Sequence, residues 1–256
     1  MEVLFLGTGT SHGIPVIACD CETCTSNNPK NRRLRSSVSI RVGDKRLLID
    51  TSIDLRQQCL RYNIRQVDAV LFTHHHVDHI FGLDDTRSFN RLRKTKLPCY
   101  GRPDTLDNLK QVYKYIFDYP DMPGGIPMLE FIPMTGPMTI QEILVQPIVV
   151  HHGRLPIHAY RIGNVVYATD CSGIPEESWR HFEGVEVLIL DCLRHRPHPT
   201  HFHLEQAVQT AQRIGAQQTF FTHLSHDMEH ERVSADLPPD IALAYDGLSL
   251  ECEDPK

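Results

Sequence analysis

No apolar stretch in the 256 residues approaches the roughly 18 consecutive residues needed to span a bilayer. The opening run Met1-Glu2-Val3-Leu4-Phe5-Leu6-Gly7 also lacks the basic region that begins a secretory signal. These two absences set the expectation of a cytoplasmic protein with no membrane partner. Internal repeats, linkers and low-complexity tracts are missing too, and an apolar content in the ordinary globular range excludes collagen-like, coiled-coil and wholly disordered chains. Nor is there an excess of positive charge: 26 Lys and Arg stand against 32 Asp and Glu, a formal net charge of −6. Such a chain is a poor general binder of long nucleic acid, although a local basic patch still meets phosphates. What is present is an ordinary globular composition, 41% hydrophobic, at a length that suits one large domain spanning residues 1–256.

Histidine is the unusual residue, at 16 against 8 cysteines. Three of the cysteines, Cys19, Cys21 and Cys24, cluster as C-x-C-x-x-C, while Cys59, Cys99, Cys171, Cys192 and Cys252 are scattered. Without a secretory signal a disulfide framework is not expected, and the cluster reads better as thiolate ligands. Three thiolates leave a tetrahedral zinc site one ligand short. The glycine-rich Gly7-Thr8-Gly9-Thr10-Ser11-His12-Gly13 follows an apolar run, but its third glycine falls one place late for a dinucleotide-binding turn. It is read as a tight strand-end loop instead.

Short apolar runs bounded by turn residues predict strands at 37–42, 46–49, 67–72, 165–168, 185–190, 219–221 and 242–244, with a two-residue hairpin turn at Gly163-Asn164. Helical patterns fall at 54–62, 102–117, 175–182 and 204–214; in the last, Leu204, Ala207, Val208, Ala211 and Ile214 make one apolar stripe. The Pro-rich segment from Tyr119 to Pro137 is expected to be a loop. Mixed strands and helices along the whole length predict a single α/β domain.

The densest chemistry is Thr73-His74-His75-His76-Val77-Asp78-His79, just after the run Ala69 to Phe72. Alternate residues at a strand end share a face, so His74 and His76 converge while His75 points away. A helix starting near Val77 turns Asp78 and His79 back toward the same space. Three more strand ends carry such ligands: His151-His152, Asp170 and His223. Together they predict a multi-loop metal site, whereas each alone reads as a hydrogen-bonded residue. Asp50 ends Leu47-Leu48-Ile49 and suits either a carboxylate that orients a ligating histidine or a cap. His12 and the basic stretch Lys30 to Arg35 read as loop and solvated surface respectively.

H-x-H-x-D-H in this setting resembles the metallo-β-lactamase superfamily. The resemblance implies an αβ/βα four-layer sandwich with a dinuclear centre on one edge. It implies His74, His76 and His152 as ligands of one metal, Asp78, His79 and His223 as ligands of the other, and Asp170 as the bridge. A bridging Asp, where β-lactamases usually carry Cys, disfavours an antibiotic substrate. G-T-G-T-S-x-G-x-P with C-x-C-x-x-C and Thr222-His223-Leu224-Ser225-His226 is more narrowly similar to the PhnP-type cyclic phosphodiesterases. That likeness makes Cys19, Cys21, Cys24 and His226 a structural zinc site. It also makes Thr200-His201-Phe202-His203 the segment of the catalytic histidine, His201, with Asp78 counted beside it. Residues 105–139 have no match in it.

The implied function is a metal-dependent hydrolase with two divalent metals, zinc or manganese, and one structural zinc. Two ions carry +4 and two Asp with a bridging hydroxide carry −3, leaving about +1 for a phosphodiester monoanion. Attack by the metal-bridging hydroxide and protonation of the leaving oxygen by His201 complete the expected reaction. The expected partner is a small phosphorylated substrate, such as phosphoribosyl cyclic phosphate or a nucleotide-like diester, with a homodimer left open. The alternatives are a tRNase Z-like RNA-processing endonuclease and a non-catalytic metal-binding protein of the same fold.

Overall fold

Neighbouring residues of each apolar run enter different cores, because side chains alternate along a strand. In Leu47-Leu48-Ile49 the outer two join one hydrophobic cluster and Leu48 joins another. In Leu188-Ile189-Leu190 the middle residue again parts from its neighbours. Strands covered on both faces read as continuous apolar runs for this reason. The structure, a computed structural model, describes residues 1–93, 95–118 and 125–255.

The first sheet holds β1 (Glu2–Gly7), β2 (Ser37–Val42), β3 (Lys45–Ile49), β4 (Ala69–Leu71), β5 (Leu97–Gly101) and β6 (Leu129–Pro133), in that spatial order. The second holds β7 (Met138–Ile140), β8 (Ile143–His152), β9 (Leu155–Ile162), β10 (Val165–Ala168), β11 (Val187–Asp191), β12 (Gln218–Thr222) and β13 (Ile241–Leu243), and β14 (Ser249–Glu251) returns to pair with β1. β3 to β6 run parallel, as do β10 to β13, and the remaining pairings are antiparallel. The sheets share a core that includes Phe5, Ile40, Tyr160, Tyr167 and Phe220.

Among the helices are two single turns, α1 (Glu22–Thr25) and α3 (Val77–Ile80). Helices α2 (Leu55–Arg61), α4 (Arg87–Arg93), α5 (Pro103–Val112) and α6 (Lys114–Asp118) cover the first sheet through Leu55, Phe89, Leu106 and Ile116. Helices α7 (Leu204–Ile214) and α8 (His230–Ala235) cover the second, with Ala207, Ala211 and Val233 turned inward. The layers are helix, sheet, sheet, helix: the four-layer αβ/βα sandwich of the α/β class. Gly163 and Asn164 form the expected hairpin turn, with Ile162 opposite Val165.

Three expectations need correction. The pattern at 102–117 is two helices, broken at Tyr113, whose hydroxyl donates to the Ile80 carbonyl at 2.7 Å. Residues 176–182 form a 3₁₀ helix, not an α-helix. The segment from Tyr119 to Pro137 is not loop throughout, because β6 pairs with β5 within it; its residues 119–124 lie outside the described residues. Among the described residues no helix is long and apolar enough to cross a membrane.

Candidate metal centre

The parallel strands deliver their C-terminal ends to one edge of the sandwich. Asp50 follows β3, Thr73 to His79 follow β4, Asp170 follows β10, Asp191 ends β11 and His223 follows β12. Asp50, Asp170 and His223 all adopt left-handed backbone, with φ of 64°, 54° and 60°. Asp and His tolerate this conformation better than most residues. Such strain costs on the order of 1 kcal/mol per residue and is held only where the surroundings over-determine it. Gly153, after β8, also has positive φ (61°), and a Cβ there would meet the Thr200 methyl at 2.8 Å. The His152-Gly153 pair is thus fixed by a tight turn against the Thr200 loop.

Two ligand groups result. The ligand atoms of His74, His76 and His152 lie within 4.8 Å of one another, and so do those of Asp78, His79, Asp170 and His223. Asp170 divides its oxygens between them: Oδ2 is 3.8 Å from His74 Nε2, while Oδ1 is 3.2 Å from both His79 Nε2 and His223 Nδ1. Tetrahedral metal sites with bonds near 2.0–2.1 Å have edges of roughly 3.3 Å, so the second group has the spacing of a coordination shell. His151 is exposed whereas His152 is buried, which places His152 in the cluster.

The outer nitrogens are already engaged. His79 Nδ1 faces Asp50 Oδ2 at 2.7 Å, His152 Nδ1 faces the Thr200 carbonyl at 2.7 Å, and His74 Nδ1 faces Thr73 Oγ1 at 3.0 Å. Asp50 also accepts from Thr73 N and Oγ1, both at 2.8 Å, so it orients ligands instead of capping a helix. The inward nitrogens His74 Nε2, His79 Nε2 and His223 Nδ1 are buried without a hydrogen-bond partner. Buried polar atoms are seldom left so, and a cation is the group that satisfies unprotonated nitrogens beside carboxylates. The donor set therefore fits divalent metal. Burial alone would raise Asp170 and lower His79, but charged neighbours reverse both: His223 and His79 pull Asp170 well below the carboxylate range, and Asp170, Asp78 and Asp50 push His79 up, the same anionic field that favours a cation among these nitrogens.

Cys19, Cys21 and Cys24 surround His226 Nδ1 at 3.2, 3.5 and 3.7 Å from their sulfurs. A tetrahedral zinc with mixed sulfur and nitrogen bonds sets these edges at roughly 3.5 Å, so this donor set also fits. His226 and His223 share the loop after β12, which couples the two clusters covalently.

His201 stacks on His223, with ring centroids 4.8 Å apart, and its Nε2 reaches 4.0 Å from Asp170 Oδ2. Its Nδ1 lies 3.0 Å from Oδ1 of Asp191, a fully buried carboxylate. The sequence reading missed Asp191, although it ends an apolar run in the same way as Asp50. Arg33, in the stretch expected to be solvated surface, is buried instead. It is 1% exposed and donates to the carbonyls of Ser225 and Met228 at 3.3 and 2.7 Å, fastening the loop that carries both histidines. His203 donates from Nδ1 to Gln206 Oε1, 2.7 Å away on α7, and is not among the clustered ligands.

Residues 45–224 match the beta-lactamase superfamily domain. A diphosphatase of the PhnP family superposes with a TM-score of 0.92 at 42% identity, covering 97% of this chain and 96% of that one. The zinc-bound PqqB of Methylobacterium extorquens superposes with a TM-score of 0.79 at 19% identity, covering 98% of this chain and all of that one, and so shares the fold. An octanoyltransferase of Porphyromonas gingivalis is 38% identical over 253 residues, 97% of this chain. The chain spans about half of that relative's length (51%).

Proposed function

Because this chain belongs to the metallo-β-lactamase superfamily and to its PhnP family, we propose that its hydrolase chemistry is that of a phosphodiesterase acting on small, phosphorylated substrates. The observation that carries this reading is the split Asp170 carboxylate beside a histidine backed by its own buried carboxylate, Asp191. On this reading His74, His76 and His152 would hold one divalent metal and Asp78, His79 and His223 a second, with Asp170 within reach of both groups. Cys19, Cys21, Cys24 and His226 hold a structural zinc. Zinc and manganese both suit the His/Asp donors, while the thiolates select zinc.

Divalent metal at this centre supplies an acidified water and neutralises charge on the phosphoryl oxygens. The chain's own residues do the rest. Asp50, Thr73 and the Thr200 carbonyl lock the imidazole orientations, which preorganises the ligand set. His201 gives its Nε2 proton to the departing oxygen, and Asp191 keeps that ring turned and charged. Burial pulls His201 down, but the adjacent Asp191 carboxylate outweighs it and holds the imidazolium up at about 9. Asp191, raised by burial to about 6, is itself ionised at neutral pH.

The net charge of −6 disfavours a long RNA, and the diphosphatase relative supports a small phosphoryl substrate. Purified protein loaded with zinc or manganese is expected to hydrolyse bis-p-nitrophenyl phosphate and nucleoside 2′,3′-cyclic phosphates. No turnover with either metal would end the proposal, and cleavage of precursor tRNA alone would replace it with an RNA-processing role.

A further inference from the structure

The glycine-rich loop after β1 is wedged between two other segments. On one side Gly9 N donates to the Leu34 carbonyl at 2.8 Å, and the Gly9 carbonyl accepts from Ser36 N and Oγ, both at 3.0 Å. On the other, Thr10 N donates to the Leu224 carbonyl at 3.1 Å and Leu224 N donates to the Thr8 carbonyl at 2.9 Å. Position 9 needs glycine, because a Cβ there would meet the Arg33 carbonyl at 2.9 Å. The loop therefore bridges the segment of the buried Arg33 to the loop after β12, which carries His223 and His226.

One side chain of the glycine-rich loop reaches a candidate ligand. Thr10 Oγ1 lies 3.3 Å from His223 Nε2, and both residues are buried. His223 is also presented the other way round from its neighbours. His74, His79 and His152 engage Nδ1 outward, and in the first two the buried nitrogen without a partner is Nε2. In His223 the partnerless nitrogen is Nδ1, and Nε2 is the engaged one. A cation at Nδ1 leaves the imidazole proton on Nε2, so the Thr10 hydroxyl is the acceptor of that proton. Turned over about its Cβ–Cγ bond, the same ring would offer a carbon to Thr10 and a carbon to the metal centre. The hydroxyl thus distinguishes the ligating orientation from the useless one. His201 stacks on this ring with 11° between the planes, so the orientation of His223 also bears on the candidate acid.

We propose that Thr10 is a positioning residue of the metal centre: its hydroxyl accepts the Nε2 proton of His223 and holds Nδ1 turned inward. The glycine-rich loop then belongs to the centre, as the element that brings this hydroxyl to the ring. The inference rests on the two-metal reading above and is independent of the substrate. Thr8 supplies the contrast within the same loop. Its hydroxyl and its N–H donate to Asp246 Oδ1 at 2.9 and 3.0 Å, which ties the loop down without touching a ligand. Thr8 holds the loop, and Thr10 holds the ring.

The test dialyses zinc-loaded wild type, Thr10→Val, Thr10→Ser and Thr8→Val against buffers of graded free zinc, and counts the zinc retained by elemental analysis. Valine keeps the shape of threonine and deletes the hydroxyl, while serine keeps the hydroxyl. Thr10→Val should release zinc from the His/Asp centre at a free zinc concentration about tenfold or more above that for wild type, with the zinc of the thiolate site retained. Thr10→Ser should recover most of that loss. Thr8→Val should melt at a lower temperature and yet hold zinc as wild type does. Should Thr10→Val fail to fold, Thr10→Ala takes its place, and the serine rescue is read against it. Wild-type retention without the Thr10 hydroxyl overturns the inference. Equal loss in Thr8→Val, or no rescue by serine, overturns it too, because the loop then acts only by packing. A wild type that holds zinc at the thiolate site alone overturns the two-metal reading and this inference with it, whereas tight binding that ignores Thr10 overturns the inference alone.

Discussion

Nδ1 of His201 lies 3.0 Å from Oδ1 of Asp191, and the same oxygen accepts the backbone N–H of Asp170 at 3.0 Å. One buried carboxylate thus fixes the candidate acid relative to the candidate bridging ligand. Its Oδ2 accepts the Phe202 N–H at 2.9 Å, so Asp191 has no freedom to turn away. If His201 is the acid, its removal should matter in proportion to the basicity of the leaving group. His201→Ala is expected to lower kcat by roughly 10²–10⁴ on esters with alkoxide leaving groups, and far less on p-nitrophenyl esters, whose phenolate departs without a proton. Equal losses on both substrate types would remove His201 from the acid role.

The same pair sets a pH dependence. The acid must be protonated to act, and His201 held up at about 9 stays so through neutral pH. Activity should therefore fall on the alkaline side as the pH passes this value. Asp191→Asn removes the charge that outweighs burial, so the alkaline limb of kcat/KM should move to lower pH by on the order of one unit or more. A limb that stays in place in the variant would show that another group controls it.

Metal content separates the two clusters. Wild type should hold about three divalent metals per chain, and His226→Ala about two, by elemental analysis. Asp170→Ala should lose metal from the other centre while the thiolate site keeps its zinc. Because His226 sits three residues after His223, the His226 variant should also melt at a lower temperature. A wild type carrying a single metal would point to a binding protein with one occupied site.

Much of this centre was legible because strand ends advertise themselves. An apolar run followed by His or Asp, directly at Asp50 and after a single Thr at His74, Asp170 and His223, marks these ligands, and the alternation rule alone separates His74 and His76 from His75. Other parts left no mark. Asp191 follows an equally apolar run, but its partner His201 arrives through a ten-residue excursion whose return path no local pattern encodes. Arg33 sits in a run of basic residues, where solvent is the ordinary destination. Only the tertiary packing of the 30–35 segment under the His223–His226 loop buries it. Strand β6 leaves little mark in the sequence because it ends on Pro133, between Met128 and Met134, and lies on the sheet edge, where the apolar pattern is weakest.

Arg33 carries a stability prediction. Its guanidinium serves the carbonyls of Lys30, Ser225 and Met228 and the side chain of Asn31 from a fully buried position. Burial pulls its pKa down to about 10, against the pull of Asp246 and Glu229, so it stays charged at neutral pH. Arg33→Met leaves several buried carbonyls without donors and should cost about 3 kcal/mol or more. Lysine offers one point of contact in place of a fork, so Arg33→Lys should recover only part of that loss. Denaturant unfolding of both variants measures it, and a loss below about 1 kcal/mol would mean the loop is held by other contacts.

His158 should make the fold sensitive to acid. It is 3% exposed, its Nδ1 has no hydrogen-bond partner, and its backbone N–H is committed to the Thr73 carbonyl at 3.0 Å. Burial, helped by Arg102, depresses its pKa from 6.5 to about 3. Between those values the unfolded chain carries a proton at this site and the folded chain does not. Stability is therefore complete above about pH 6.5 and is lost as the pH falls toward 3, by up to about 1.4 kcal/mol per pH unit. Met at this position fills a similar volume and takes up no proton. His158→Met should flatten the pH dependence of unfolding free energy between pH 6.5 and 4 by close to one proton's worth, whatever its effect on absolute stability. Parallel curves for the two proteins would show that His158 finds solvent, or a partner, when it charges.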